Sequence, residues 1–473
     1  MTAEVARPRA VGRHPGWAHA GVAAITFVAV VAWSDVGRFY LWDEAVYASQ
    51  LSGSHEPVEW RSQRAPGVVY LVAPVTLLTD SIVAVRLWLG IAGSLATAAA
   101  FAVWHRSVGS AALIAHVLFV TTGLVAIYLT ELFPNLWFAL AALAAVGLVV
   151  DRTAMPPRLV ATVAALVGAA SLLRPSEAVA LAVMVGAVLV LRLGTRALPS
   201  LLWIGAGYLV GITPWLIRSF TTFGGPLERL DDARSRVGTE PGVRILDMVR
   251  LLDDPFGNHR DGVEILSVGV GLWFLVWMGC AIVGAVRSPR LASPVVIALA
   301  SALALAVPFA FFKEHPAPRF LLPAIALLAI AAGAGLQRLS GTTRRAVLAG
   351  VVLSVLVIAQ FRVYDDFREI NQVARSRYLA LGTQVDVLAD GEDCLVISRR
   401  GGGQLAFLSG CDWAGGEPED ALDDGVHEPF LERGAAVFVV VSEADRVPDG
   451  WSSWSVAVDD PFDWHVARHP GAP

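Results

Sequence analysis

Apolar stretches of about 20 residues, separated by short polar junctions, make up most of this chain. A helix of that length crosses the hydrocarbon core of a bilayer, where unpaired backbone groups find no partner. Only 16% of the residues are charged, against about a quarter in soluble globular proteins. The pattern predicts a mainly α, polytopic membrane domain with about eleven spans. These spans cover residues 17–34, 82–104, 109–128, 133–150, 158–173, 177–194, 198–216, 264–286, 291–312, 319–337 and 346–361.

Basic residues recur at every second junction between the predicted spans. Because the positive-inside rule places such junctions in the cytoplasm, the N-terminus is predicted to be cytoplasmic. These residues are Arg7, Arg9, Arg13, His105, Arg106, Arg152, Arg158, Arg192, Arg196, Arg287, Arg290, Arg338, Arg344 and Arg345. The other junctions are then outside the cell, namely residues 35–80, 130–134, 174–176, 218–262 and 313–318, together with everything after Arg362.

The first apolar stretch also has features of a secretory signal peptide. Arginines precede it, and Ala32-Trp33-Ser34 fits a cleavage site. It is longer than the usual signal-peptide core of about 7–15 apolar residues, which favours a retained span.

A shorter apolar stretch, residues 65–78, is interrupted by Pro66 and Pro74 and is predicted to be an interfacial helix.

The segment after the last span is predicted to be a separate soluble α/β domain, so the division is 1–361 and 362–473. A helix is expected over 362–390, and the apolar runs 394–398 and 436–441 are typical of buried strands. The segment from Asp365 onward carries 21 acidic and 8 basic residues. Its two cysteines, Cys394 and Cys411, are either a disulfide, which an extracytoplasmic location favours, or two separate thiols.

Two adjacent acids, Asp43 and Glu44, lie in the first outer loop, directly after the aromatic sequence Phe39-Tyr40-Leu41-Trp42. A carboxylate near a low-dielectric boundary can serve as a general base, and a base is what a sugar hydroxyl needs to attack an activated anomeric carbon. The alternative is a solvated acidic loop. Successive residues point in different directions in a helix or a strand, so the two acids need not share one role.

The predicted outer face is unusually rich in cations. Any one of them alone is more often a residue that reaches to a lipid headgroup. Together they oppose the positive-inside trend and predict an anionic partner such as phosphate, whose oxygens match the arginine fork. They are Arg61, Arg64, Arg174, Arg218, Lys313 and Arg319.

The order of these motifs resembles the GT-C glycosyltransferase superfamily, and within it the protein O-mannosyltransferase and aminoarabinose transferase-like, family 39-like group. The motifs are the Asp43-Glu44 pair, the Pro66 helix, the span opening with Val85-Arg86-Leu87, the sequence from Pro214 to Gly224, and Pro318-Arg319-Phe320-Leu321-Leu322-Pro323. The likeness covers residues 17–361. It implies a bacterial cell-membrane enzyme that transfers a sugar from a polyprenyl-phosphate carrier on the non-cytoplasmic face.

The resemblance also implies roles for residues. Asp43 is expected to be the catalytic base and Glu44 the supporting acid. Arg64, Arg174, Lys313 and Arg319 are expected to bind the donor phosphate. Glu131, Arg218 and His315 are possible substrate contacts.

No cofactor is implied, and a metal ion is neither required nor excluded, since no histidine and cysteine cluster has ligand spacing. The acceptor is a glycan, a lipid or a protein, and nothing points to nucleic acid. A transporter of lipid-linked sugars is a second hypothesis, although such proteins usually carry substrate groups near the midplane and internal repeats. A non-catalytic membrane scaffold is a third, which leaves the outer cations unexplained.

Overall fold

The structure is a computed structural model. It describes residues 16–51, 57–58, 60–237, 252, 268–288, 293–312, 317–399, 401–414, 418–442, 446–458 and 463–471. Two compact units divide the chain. We call the first the helical unit; it comprises Met1–Trp33, Gly90–Leu129 and Pro134–Tyr364. We call the second the mixed unit; it comprises Ser34–Leu89, Thr130–Phe133 and Asp365–Pro473.

Helices account for most of the described residues. They are α1 (Gly16–Trp33), α2 (Trp42–Ser49), α3 (Gly67–Thr76), α4 (Ile82–Ala102), α5 (His105–Val108), α6 (Ala111–Val120), α7 (Gly123–Tyr128), α8 (Pro134–Val149), α9 (Pro157–Leu173), α10 (Pro175–Leu193), α11 (Leu198–Thr222), α12 (Pro226–Val237), α13 (Val268–Val286), α14 (Pro294–Phe312), α15 (Leu322–Leu339) and α16 (Thr343–Ala389). Short 3₁₀ turns, Gly194–Ala197 and Pro318–Leu321, precede α11 and α15.

The described part of the chain contains seven helical segments that are long and apolar enough to cross a membrane, and four shorter apolar helices. One of the seven, Pro175–Thr222, contains two of the predicted spans. Over the described residues, each predicted span coincides with helical structure, and the chain is a multi-pass membrane protein. The first residues of the predicted spans 264–286 and 291–312 lie outside the described residues. The exact count of eleven remains a prediction. The predicted interfacial helix is α3, which includes Pro74.

Small residues allow the membrane helices to approach one another closely in the helical unit. A Cβ atom on Gly211 of α11 would clash with the backbone oxygen of Gly168 on α9. A Cβ atom on Gly335 of α15 would clash with the backbone oxygen of Cys280 on α13. In lipid, where no hydrophobic force acts between helices, such close backbone packing is a main source of association.

Contacts within the helical unit join junctions that the charge pattern assigns to the same face. On the predicted cytoplasmic side, Arg106 pairs with Asp151, and Arg338 Nη2 donates to Ser288 Oγ at 2.7 Å. On the predicted outer side, the Arg174 guanidinium lies 5.1 Å from the Phe320 ring. These pairings agree with the alternation of junctions, and which side is outside remains a prediction.

The mixed unit contains a sheet of five strands among the residues described. They are β1 (Cys394–Ile397), β2 (Asp412–Ala414), β3 (Ala436–Val441), β4 (Ser452–Val456) and β5 (Trp464–Arg468). The strand order is β2-β1-β3-β5-β4. Strands β1 and β2, and β1 and β3, are parallel, whereas β5 is antiparallel to both β3 and β4. Three short helices accompany it: α17 (Gly402–Ser409), α18 (Pro418–Asp423) and α19 (Glu428–Glu432).

Both strands predicted from apolar runs are present, as β1 and β3. All residues of both strands are buried, which explains why their sequences lack the alternation of half-exposed strands. The helix expected after the last span is the continuous α16. The disulfide is also present, because Cys394 is bonded to Cys411. The predicted extracytoplasmic α/β domain thus has its expected core, and its side of the membrane remains a prediction.

Candidate active site

Helix α2 carries the Asp43-Glu44 pair in its first turn. Glu44 is the third residue of the helix, and its Oε2 accepts a hydrogen bond from the backbone N–H of Leu41 at 2.8 Å. This is the reaching-back half of a capping box, which satisfies an N–H group that the helix leaves unpaired. Acidic residues in a first turn also complement the helix dipole. The local sequence therefore accounts for a helix that begins at Trp42.

The two acids occupy different environments within the mixed unit. The Glu44 side chain is fully buried, whereas the Asp43 side chain is 37% exposed. Adjacent helical positions are rotated by about 100° around the axis, so one acid faces the interior and the other faces outward. Of the two carboxylates, only that of Asp43 is open to the surroundings of the unit.

Four donors surround the Glu44 carboxylate. Arg86 donates through Nη1 to Oε1 at 3.1 Å and through Nη2 to Oε2 at 3.2 Å, which is a bidentate pair. The Leu132 backbone N–H donates to Oε1 at 2.8 Å, and the Leu41 N–H donates to Oε2. The neighbouring Glu131 carboxyl also lies within hydrogen-bonding reach of Glu44, so the two acids share the arginines around them.

Glu131 lies beside Glu44 and is held by three arginines. Arg38 Nη2 donates to Oε1 at 2.9 Å, Arg375 Nη2 donates to Oε1 at 2.8 Å, and Arg86 Nη1 donates to Oε2 at 3.2 Å. All five of these charged residues are buried. We call Arg38, Glu44, Arg86, Glu131 and Arg375 the ion cluster.

Backbone and hydroxyl groups satisfy further donors of the ion cluster. Arg86 Nη1 donates to the Thr130 carbonyl at 2.8 Å, and Arg375 Nη1 donates to the Phe39 carbonyl at 2.9 Å. Arg38 Nη2 donates to Thr130 Oγ1 at 2.8 Å. The cluster therefore ties together the segment before α2, the start of α4, residues 130–131 and α16.

The pKa values of the cluster follow from burial and from neighbouring charges. Burial raises the pKa of Glu131, but Arg375, Arg38 and Arg86 outweigh it and hold that pKa well below its ordinary value of 4.5. The pKa of Glu44 is raised above its ordinary value, mainly by burial and also by the neighbouring Glu131 charge. Arg86 opposes this rise without cancelling it. Burial lowers the pKa of Arg38 to about 10, so Arg38 remains charged at neutral pH.

Asp43 is held by a different arginine. Arg64 donates to Asp43 Oδ1 through Nη2 at 2.6 Å and through Nε at 3.2 Å. The Arg64 side chain is only 5% exposed, so its position against Asp43 is constrained by packing. Beside this pair, the Arg61 guanidinium lies 4.7 Å from the Trp42 ring and 4.3 Å from the Trp413 ring. The two hydrogen bonds from Arg64 orient the exposed carboxylate.

The structure brings two other predicted phosphate-binding residues together in the helical unit. Arg174 and Arg319 both contact one aromatic residue, with guanidinium carbons 5.1 Å and 5.3 Å from the Phe320 ring. Arg174 also pairs with Glu177. Arg218 is half-buried near the end of α11. Lys313 and His315 lie outside the described residues.

Sequence reasoning missed the ion cluster as such. Arg38 and Arg375 belong to no sequence motif. Arg86 was noted only as part of the sequence Val85-Arg86-Leu87, with which a predicted span begins. A signal was available, because an ionisable residue inside an apolar span requires a partner. Within the described ranges, no three His, Cys, Asp or Glu side chains form a group that could hold a metal ion.

The chain has the fold of the GT-C glycosyltransferases, as its sequence motifs predicted. It superposes on ArnT from Cupriavidus metallidurans bound to undecaprenyl phosphate with a TM-score of 0.69 and 16% identity, over 97% of this chain and 99% of that one. It superposes on an arabinofuranosyltransferase, AftD from Mycobacteria, with a TM-score of 0.57 and 16% identity, over 97% of this chain and 40% of that one.

A third similar structure is the oligosaccharyltransferase of Archaeoglobus fulgidus tethered with an acceptor peptide. Its TM-score is 0.55 at 14% identity, over 90% of this chain and 69% of that one. No protein-family model matches the sequence, and no curated protein matches it. The superpositions establish the fold. Because the sequence identities are this low, the activity has to be argued from the site.

Proposed function

We propose that this protein is a glycosyltransferase that moves a sugar from a polyprenyl-phosphate carrier to an acceptor hydroxyl on the extracytoplasmic face. The exposure of Asp43 carries the proposal. It is the acid of the pair that faces outward, on a helix anchored by the fully buried Glu44. A rigidly positioned exposed carboxylate is the arrangement that general-base catalysis requires.

In the proposed step, Asp43 accepts the proton of the acceptor hydroxyl. The hydroxyl oxygen forms a bond to the anomeric carbon of the donor sugar. The bond from that carbon to the phosphate oxygen breaks, and its electron pair leaves with the polyprenyl phosphate. The products are the glycosylated acceptor, polyprenyl phosphate and a proton on Asp43.

Cations are needed where the phosphate departs, because they stabilise charge that develops in the transition state. Arg64, Arg174, Lys313 and Arg319 are the proposed donor-phosphate residues. Arg64 already contacts Asp43, so it is suited both to orient the base and to meet a phosphate beside it. The likeness to a protein bound to undecaprenyl phosphate supports this choice of donor.

The composition of the mixed unit supports one side of the membrane for the reaction. Its three segments, 34–89, 130–133 and 365–473, contain the first outer loop, the second outer junction and the C-terminal domain of the sequence prediction. Segments that fold together must lie on the same side. The positive-inside pattern predicts that this side is extracytoplasmic.

The roles proposed for the other acids differ from that of Asp43. Glu44 supports the site by anchoring α2, and Glu131 acts through the same ion cluster. Both are buried, so a direct contact with substrate would require the cluster to open. We therefore assign Glu44 and Glu131 positioning roles.

The test is turnover of a radiolabelled polyprenyl-phosphate sugar by the purified protein in detergent, with release of polyprenyl phosphate as the readout. Asp43→Asn should lower turnover by about 10²–10⁴-fold, the usual contribution of a general base. Asp35→Asn is the matched control, because it removes an exposed acid of the same loop. Equal turnover by Asp43→Asn and the parent would reject the role of Asp43. Movement of the polyprenyl-phosphate sugar across vesicle membranes without release of its sugar would favour the hypothesis of a transporter of lipid-linked sugars.

A further inference from the structure

A small cavity of about 290 Å³ lies within the mixed unit. Pro57 and Val58, from the loop that follows α2, line it on one part of its wall. The rest of the wall comes from the C-terminal domain, namely Ala406, Gly410, Cys411, Asp412, Trp413 and Phe430. Small-molecule sites usually measure about 300–1,000 Å³, so this cavity suits a single unit of a larger molecule.

The lining combines aromatic rings with one carboxylate. Trp413 and Phe430 are half-buried, and the Asp412 side chain is 63% exposed. Arg433 Nη2 donates to Asp412 Oδ2 at 3.2 Å, which leaves acceptor capacity on the carboxylate. Of the described residues that line the cavity, none is basic. Two arginines lie directly behind the lining, because Arg433 pairs with Asp412 and the Arg61 guanidinium lies 4.3 Å from the Trp413 ring.

The cavity is built from constrained segments. The disulfide between Cys394 and Cys411 fixes the start of β2 against β1. On the other wall, the Val58 N–H donates to Ser49 Oγ at 3.0 Å, and Gln50 Nε2 donates to the Val58 carbonyl at 2.9 Å. Both walls are thus attached to rigid elements, and one of those elements is the helix that carries Asp43.

Trp413 connects the cavity to the candidate base. Its ring lies 4.7 Å from the ring of Trp42, edge to face, and Trp42 directly precedes Asp43. Helix α17 leaves room for both rings, because a Cβ atom on Gly402 would clash with Trp413 and one on Gly403 would lie 2.9 Å from Trp42. A ligand held against Trp413 is therefore positioned relative to α2.

We propose that this cavity binds a neutral sugar unit of a glycan acceptor. Sugar rings present C–H faces that pack on aromatic side chains, and their hydroxyls donate hydrogen bonds to a carboxylate such as Asp412. The acceptor role rests on the transferase activity proposed above, whereas the binding of sugar by the cavity does not.

The experiment measures binding without donor. Full-length protein in detergent is applied to immobilised neutral oligosaccharides containing mannose, galactose or arabinose, and to peptides as a second class. Asp412→Asn and Phe430→Ala should weaken retention on the best oligosaccharide by about ten-fold. Asp393→Asn is the matched control, since Asp393 pairs with the same Arg433 at 2.7 Å but does not line the cavity. It should bind as the parent does.

Two outcomes would overturn the proposal. One is equal retention by Asp412→Asn and Asp393→Asn, and the other is retention on peptides with none on sugars. With donor present, Asp412→Asn should raise KM for the oligosaccharide and leave kcat nearly unchanged. If the parent binds sugar in the expected pattern but releases no sugar from the donor, the transferase proposal fails and the binding assignment stands.

Discussion

Arg375 Nη2 donates to Glu131 Oε1 at 2.8 Å, across a sequence separation of 244 residues. This contact joins α16, which leads into the C-terminal sheet, to the short segment between α7 and α8. Through Glu131 and Arg86 it continues to Glu44, the anchor of the helix that carries Asp43. The C-terminal segment thus contributes a charged side chain to the support of the candidate base.

The charge balance of the ion cluster predicts unequal costs for its removal. Glu131→Gln leaves three buried arginines facing Glu44 alone and should destabilise the protein by about 3–5 kcal/mol. Arg375→Gln leaves two arginines with two glutamates and should cost less, about 1–3 kcal/mol. Thermal unfolding in detergent measures both. Arg433→Gln, at an exposed pair, is the control and should cost about 0–1 kcal/mol. A larger loss for Arg375→Gln than for Glu131→Gln would contradict the charge argument.

Glu131 should also give the stability a characteristic pH dependence. The pKa of Glu131 is depressed below 4.5 in the folded state, so its stabilising contribution is present above that ordinary value and is lost as the pH falls through the folded pKa. The stability difference between the parent and Glu131→Gln should therefore stay constant from about pH 7 to about pH 5. It should shrink as the pH falls further toward the folded pKa, and unfolding midpoints down to about pH 3 provide the measurement. A difference that stays constant down to about pH 3 would show that Glu131 is not held as a stabilised carboxylate.

The sequence predicted helices and strands well because both depend on local apolar patterns. The predicted span 17–34 is Gly16–Trp33 in the structure, and the predicted strand 436–441 is β3 without a shift. The pairing of Cys394 with Cys411 could also be anticipated, because the C-terminal segment contains only these two cysteines. In each case a few neighbouring residues, or a simple count, contain the information.

The ion cluster could not be predicted in the same way. Arg38, Arg86 and Arg375 meet Glu44 and Glu131 only because four distant segments pack together, and sequence spacing contains no record of that packing. The same limitation applies to the division of labour between Asp43 and Glu44. Their adjacency was visible in the sequence, but their difference in burial arises from tertiary structure.

The proposed phosphate role of Arg319 predicts weaker donor binding when its charge is removed. A charged hydrogen bond contributes about 1.5–3 kcal/mol, so Arg319→Ala should raise the Kd for undecaprenyl phosphate by about ten-fold or more. Tryptophan fluorescence or thermal shift during titration with the lipid measures this. Arg345→Ala removes an exposed arginine at the start of α16 and should leave the Kd unchanged. Equal affinity in Arg319→Ala and the parent would exclude Arg319 from the phosphate site.

The disulfide between Cys394 and Cys411 offers a test of both stability and topology. The cysteines are separated by 17 residues, and closing a loop of that size stabilises the folded state by about 3 kcal/mol through the lost freedom of the unfolded chain. Cys411→Ser should lower the unfolding midpoint, and a reductant should lower it in the parent but not in the variant. Cys280→Ser is the control for losing a thiol unrelated to the bond.

Because disulfides persist outside the cytoplasm, Cys394 and Cys411 should resist a thiol-reactive reagent in intact cells until a reductant is added. Ready labelling of both residues without a reductant would contradict an extracytoplasmic C-terminal domain.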